Sequence, residues 1–193
     1  MRNASTMISC AVLGIALVPL TAVPVKTEPV RWSVSDGWDI AYYPSTRGCL
    51  AFASFDGTAF FIGFDMHADV PALDITVLDD RWESIVPQKA YPVTLAFGDE
   101  QPWTLDMTGV FMDGAPGLNI LIDTSVDKSA VFIEEFQREL RMTWSYGDFR
   151  LGQFTLRGSR RAFQQVLACQ REYDAAARVP DSAPGNVANL SEE

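Results

Sequence analysis

The chain has 193 residues, 48% hydrophobic and 11% aromatic, which is enough to bury the core of one globular domain. Its 25 acidic and 15 basic side chains give a formal net charge of -10, and this charge argues against nucleic-acid binding because the chain repels phosphate backbones. The one local basic group, Arg157, Arg160 and Arg161, is too short to form a nucleic-acid surface.

Residues 1–22 have the three parts of a secretory signal peptide. A positively charged start precedes the apolar run Ile8–Val18, which is short for a membrane span, and the small residue Ala22 follows. We expect cleavage between Ala22 and Val23, because a cut one residue later would leave Pro24 first. The mature protein is then periplasmic or secreted, without stable membrane insertion.

Two other interpretations of the N-terminus stay open. Cys10 follows Met-Ile-Ser, a faint likeness to a lipoprotein signal, although most of the apolar run comes after this cysteine. The run could also act as an uncleaved anchor if it is extended through residues 19–25.

Signal cleavage leaves two cysteines, Cys49 and Cys169. A surviving pair in an exported chain is typical of one disulfide, and only one pairing is possible. The alternative, a redox-active pair, lacks the close CxxC spacing of such sites. We therefore predict a Cys49–Cys169 disulfide.

Hydrophobic alternation predicts about nine or ten β-strands in the mature chain. The strongest hairpin signal is Asp56-Gly57, between the apolar segments 49–55 and 58–65, which we place at the centre of the sheet. A second hairpin surrounds Gly147-Asp148. The other strand-like segments are 30–34, 38–43, 72–79, 91–97, 103–111, 118–122, 140–146 and 149–157.

Two segments have helical spacing. Residues 126–140 carry one apolar stripe, which includes Phe132, Phe136 and Leu140. In FTLRGSRRAFQQVLAC, residues 154–169, a strand turns at Gly158 and a helix begins at Ser159, whose hydroxyl is expected to cap it.

Antiparallel hairpins dominate, so we predict a mainly β fold, an antiparallel β-sandwich or flattened barrel with two packed helices. The disulfide would tether the C-terminal helix, and an α+β roll is the alternative architecture. The predicted domains are a signal peptide (1–22), a single β-rich domain (23–173) and a disordered tail (174–193).

One histidine is present, and it lies between two acids in FDMHADVPALD. Asp65, His67 and Asp69 would point the same way in an extended segment and could bind a divalent metal. The competing interpretation is a polar loop after the preceding strand. Asp79-Asp80 is interpreted as a solvated turn.

Other chemistry has weaker signals. The sequence contains no GxSxG, GxGxxG or Walker motif, so we expect no catalytic serine of that type and no cofactor. Paired carboxylates of a hydrolase stay open, because acids are numerous. Five tryptophans fit either a core or a carbohydrate-binding face, and four lie in strand-like segments.

Several segments together resemble uncharacterised small exported proteins of alphaproteobacteria: GWDIAYY, Gly48-Cys49 before an apolar hairpin, Trp82 with Ile85, YPVTLAF with Trp103, and FTLRGSRRAFQQVLAC. The closing strand–glycine–helix element is also loosely similar to the invasion-associated locus B family, which is periplasmic and linked to host-cell entry. The resemblance implies export and supplies no catalytic residues.

The sequence thus favours a non-enzymatic, acidic, exported β-sandwich that binds a protein or a cell-envelope component. The alternatives are a metal-dependent or carboxylate hydrolase and a carbohydrate-binding module.

Overall fold

The structure, a computed structural model, describes residues 28–67 and 70–178. The predicted signal peptide and residues 179–193 of the predicted tail lie outside the described residues. In chain order the elements are β1 (Val30–Ser35), β2 (Trp38–Tyr43), β3 (Gly48–Phe55), β4 (Thr58–Asp65), β5 (Ala72–Leu78), β6 (Ala90–Phe97), β7 (Trp103–Met112), β8 (Ala115–Asp123), α1 (Asp127–Arg138), β9 (Arg141–Tyr146), β10 (Phe149–Thr155) and α2 (Ser159–Arg178).

The described strands form one antiparallel sheet that is not closed, in the order β1-β2-β3-β4-β5-β8-β7-β6-β9-β10. The predicted mainly β fold with two packed helices is confirmed. The Asp56-Gly57 hairpin joins β3 to β4 as predicted, with φ values of 49° and 83° that suit a tight hairpin turn. Strand β5 lies in the middle of the sheet, and all seven of its residues are buried.

The sheet curves around its core. The ring of Phe60 in β4 lies 6.2 Å from that of Trp144 in β9 and 6.1 Å from that of Phe154 in β10. These strands are far apart in the sheet order, so the two halves of the sheet face each other across one apolar interior. This arrangement is sandwich-like, although the strands belong to one continuous sheet.

The backbones of β3 and β4 approach each other closely at Gly63. A Cβ at this position would overlap the carbonyl oxygen of Cys49 on the neighbouring strand. Only glycine allows the two backbones to come this near.

Both helices pack on the inner face of the sheet. Phe132 of α1 contacts Phe97 at 5.0 Å between ring centroids, and Phe136 of α1 contacts Trp38 at 5.6 Å. Phe163 of α2 lies 5.9 Å from Phe64. Apolar stripes at helical spacing are therefore buried, as the sequence predicts.

The helix ends differ from the predicted ones. Helix α1 ends at Arg138, and Leu140 is 75% exposed, so its expected place on the apolar stripe is wrong. The Leu140 carbonyl instead accepts a hydrogen bond from the Leu156 backbone N–H. Helix α2 continues to Arg178, beyond the predicted boundary at 173.

The start of α2 is built differently from the predicted cap. Gly158 has φ +81°, as expected of the residue that turns the chain. The Ser159 hydroxyl, however, donates a 2.7 Å hydrogen bond to the carbonyl of Phe136. The prediction that this side chain caps its own helix is wrong, because the hydroxyl links α2 to α1.

The predicted disulfide is confirmed. Cys49 at the start of β3 and Cys169 in α2 are bonded, with Cα atoms 6.1 Å apart and 120 residues apart in sequence. The bond ties the C-terminal helix to β3, the third strand of the sheet, and both cysteines are fully buried.

Candidate functional site

A cleft of about 470 Å³ opens on the outer face of the sheet, the face opposite the helices. We call it the outer cleft. It is lined by Pro29, Tyr43, Ser45, Thr46, Leu50, Phe61, Asp74, Thr76, Leu78, Met112 and Asp113. Its volume lies within the range of small-molecule sites, roughly 300–1,000 Å³.

The floor of the outer cleft is strand β5. Leu73, Ile75 and Val77 point into the core, as the predicted alternation requires. Asp74 and Thr76 alternate with them and therefore lie on the outer face. Both are nevertheless buried, with exposed fractions of 8% and 3%.

A polar cluster joins these two residues to β8. The Thr76 hydroxyl donates a 2.8 Å hydrogen bond to Asp74 Oδ1. The Asn119 amide nitrogen lies 2.8 Å from the same oxygen and 2.7 Å from Thr76 Oγ1. Within the described part of the chain, both side-chain hydrogen bonds to Asp74 end on Oδ1, and none ends on Oδ2.

Burial raises the pKa of the Asp74 carboxyl to about 6, and the negative charge of Asp65 adds to the rise. The hydrogen bonds from Thr76 and Asn119 oppose it. Among the described residues, a second acid and no cation acts on the pKa of this carboxyl.

The walls of the outer cleft are apolar and partly aromatic. Phe61 packs against Phe52 at 4.8 Å between centroids and against Tyr43 at 6.4 Å. Leu50 and Leu78 are buried beside it, and Met112 is 46% exposed at the edge. Burial, followed by the charges of Asp113 and Asp39, raises the pKa of the Tyr43 phenol.

The polar groups of the cleft are the Asp74 carboxylate and the Thr76 hydroxyl and Asn119 amide bound to it, and no histidine or cysteine lies among the described residues that line the cleft. Apolar walls around one oriented polar group are typical of ligand sites.

Two of the predicted metal ligands are described: Asp65 is the last residue of β4, His67 follows two residues later, and neither lines this cleft. Asp65 Oδ1 accepts a 2.7 Å hydrogen bond from the backbone N–H of His67, and the His67 side chain is exposed. Arg47 donates to the carbonyls of Met66 and His67, at 2.7 and 3.3 Å. Asp69 lies outside the described residues, so the three-residue site stays a prediction.

Asp79 is not the solvated turn residue that the sequence indicated. It is 2% exposed and accepts hydrogen bonds from Thr58 at 2.6 Å and from two nitrogens of the Arg81 side chain at 2.8 and 2.6 Å. These bonds hold the chain where it leaves β5, which is a structural role.

The tryptophans belong mainly to the core. Trp38 and Trp144 are 2% and 1% exposed. Trp32, Trp82 and Trp103 are half-buried and pack against the same core. Two of the five are thus buried and three keep part of their surface accessible, so the core accounts for most, but not all, of the tryptophan surface.

Sequence reasoning missed Asp74, Thr76 and Asn119 as site residues. One signal was available: Asp74 is a charged residue inside a strand that is apolar apart from it and Thr76. A carboxylate in that position is rarely buried without a partner or a function. The pairing of β5 with β8, which brings Asn119 to it, has no local signal.

Comparisons with known proteins add no identity: no family model, curated protein or solved structure matches the chain. Among the described residues no helix is long and apolar enough to cross a membrane. Nor do residues 28–67 and 70–178 contain a group of three or more histidine, cysteine or acidic side chains placed to hold a metal ion.

Proposed function

We propose that this chain is an exported, non-enzymatic binding protein that takes a cell-envelope component into the outer cleft. The observation that carries the proposal is the outer cleft itself, which combines apolar walls with one buried, oriented carboxylate. Such a combination recognises a ligand by shape and by a few polar contacts.

Export is part of the proposal. The signal-like segment at residues 1–22 and the buried disulfide support it, because disulfides persist in oxidising compartments. We expect the protein recovered from the periplasm or medium to begin at Val23. Mass spectrometry of the intact protein gives the answer, and a chain that still begins at Met1 contradicts the cleavage.

The binding test is native mass spectrometry of the protein purified gently from the extracytoplasmic fraction. Ser45 is exposed and lines the outer cleft, so Ser45→Trp should obstruct it. Ser54 is exposed on β3 outside the cleft lining, so Ser54→Trp is the matched control.

We expect one bound envelope component per chain in the wild type and in Ser54→Trp, and none in Ser45→Trp. Equal retention by all three proteins, or retention by none, contradicts binding in the outer cleft.

The alternative function, a metal-dependent hydrolase, is tested by measuring the metal content of the protein. Metal analysis of the wild type and His67→Ala after mild purification should show no stoichiometric ion in either. An ion that is present in the wild type and lost in His67→Ala favours the metal-dependent enzyme.

A further inference from the structure

The charge and the apolar lining of the outer cleft indicate which class of envelope component it would bind. We propose that its ligand is a small amphipathic cation, an alkyl chain that ends in a protonated amine, with the ammonium group bound by Asp74. This inference rests on the proposed function and names the ligand class for the same cleft.

The first support is the charge of the cleft. Asp74 lines it, and no lysine or arginine does so among the described residues. The negative charge of Asp65 also repels a negative charge on Asp74. A buried carboxylate without a counter-charge is unfavourable, and a cationic ligand would supply the positive charge that the described lining residues do not.

The second support is the orientation of the carboxylate. Thr76 and Asn119 both bind Oδ1, which fixes the side chain against β5 and β8. Within the described residues Oδ2 receives no side-chain hydrogen bond, and Asp74 is 8% exposed while it lines the cleft. An ammonium group can donate to this second oxygen in a short, charge-assisted hydrogen bond.

The third support is the lining around the carboxylate. Leu50, Leu78 and Met112 offer apolar surface for an alkyl chain. Tyr43 and Phe61 add aromatic rings, whose faces attract cations. A cation with an apolar body matches both features, whereas an inorganic ion leaves the apolar walls unused.

Two other ligand classes fit the cleft less well. An alkyl carboxylate has the same apolar body, but its head group meets like charges. An alkyl alcohol can donate one hydrogen bond but leaves the carboxylate charge unneutralised. In the experiment below, the ammonium, alcohol and carboxylate probes have alkyl chains of the same length and differ only in the head group.

The cluster of Asp74, Thr76 and Asn119 also links β5 to β8, and a purely structural role must be separated from binding. The hydrogen bonds on Oδ1 serve that linkage. A structural role alone predicts that changing Asp74 alters stability and leaves the choice between head groups unchanged.

The experiment is isothermal titration calorimetry of the full-length exported protein, with its disulfide intact, at pH 7.5. The probes are n-octylammonium, 1-octanol and octanoate. We expect 1:1 binding of octylammonium, at least about tenfold tighter than octanol, and no saturable binding of octanoate.

Asp74→Asn should lower the affinity for octylammonium to about that for octanol, while the affinity for octanol changes less than about threefold. Asp106→Asn is the matched control, since Asp106 is an exposed acid of β7 outside the cleft lining, and it should bind like the wild type. Ser45→Trp should bind neither ligand and serves as a second variant if Asp74→Asn does not fold.

Equal affinity for octylammonium and octanol, or an octylammonium affinity unaffected by Asp74→Asn, overturns the inference and leaves the proposed binding function standing. Binding of none of the three probes also overturns it. The proposed function is then decided separately by the native mass spectrometry of Ser45→Trp and Ser54→Trp.

Discussion

The backbone N–H of Cys49 donates a 2.9 Å hydrogen bond to the side-chain oxygen of Gln170, the residue that follows the disulfide partner of Cys49. The Gln170 amide nitrogen in turn lies 3.4 Å from the carbonyl of Arg47. Helix α2 is therefore joined to the start of β3 by a covalent bond and by side-chain hydrogen bonds. This junction lies on the opposite side of the sheet from the outer cleft. It fixes the position of β3, whose Leu50 lines the cleft.

Loss of the disulfide should lower stability strongly. Cys169→Ser frees a loop of 120 residues, and chain entropy sets the upper value of the loss at about 4–5 kcal/mol. The free energy of unfolding from urea titration measures it. Under reductant the wild type and Cys169→Ser should unfold alike, and a variant as stable as the oxidised wild type contradicts the predicted contribution.

A side chain at Gly158, in the turn before α2, should lower the stability of the protein. Gly158 has φ +81°, and a Cβ there would overlap the Cβ of Asp36. Gly57 has φ +83° with open space around it, so it provides a matched control. Both alanine variants lose about 1 kcal/mol to the left-handed backbone.

Gly158→Ala should lose at least about 1 kcal/mol more than Gly57→Ala, because the added methyl group displaces Asp36. Thermal unfolding of the two variants gives the difference. Equal losses of stability in the two variants would mean that Asp36 moves away from the added methyl group without an energetic cost.

Local sequence signals predicted the local structure well. The Asp-Gly hairpin, the two apolar helix stripes and the cysteine pair each follow from residue type and spacing. The outer cleft was not predictable in this way, because β5 pairs with β8 across 43 residues that separate Thr76 from Asn119. The Ser159 hydroxyl was misassigned for the same reason, since the position of α1 decides its partner.

Asp79 should stabilise the fold above its unfolded pKa. Hydrogen bonds from Arg81 are the largest cause that lowers the pKa of Asp79 to about 2, from 3.8. Its contribution is therefore present above about pH 4 and is lost as the pH falls toward 2.

Asp79→Asn should be less stable than the wild type at pH 7 by about 1–2 kcal/mol, since Arg81 is largely exposed, and the two should converge near pH 2. Urea unfolding at a series of pH values tests this. A difference that stays constant with pH contradicts the assigned role.

Asp74 should show the opposite pH dependence. Its pKa is raised to about 6 from 3.8, so the folded state binds the proton more tightly than the unfolded state. Stability attributable to Asp74 is then greatest below about pH 4 and falls as the pH rises through 6.

Between about pH 4 and pH 6 the free energy of unfolding of the wild type should fall by about 3 kcal/mol relative to that of Asp74→Asn. Asp65 also acts on this carboxyl, so Asp65→Asn should reduce the loss without abolishing it. Parallel stability profiles of the wild type and Asp74→Asn between pH 4 and 8 contradict the raised pKa of the buried Asp74 carboxyl.

Binding of an amphipathic cation in the outer cleft is the central claim, and methionine methyl NMR locates it most directly. Met112 lines the outer cleft, whereas Met107 and Met142 are fully buried in the core on the other side of the sheet. With methyl-¹³C-methionine, added n-octylammonium should shift the Met112 signal and leave those of Met107 and Met142 in place. An unchanged Met112 signal at saturating n-octylammonium, or shifts confined to the core methionines, contradicts binding of this cation in the outer cleft.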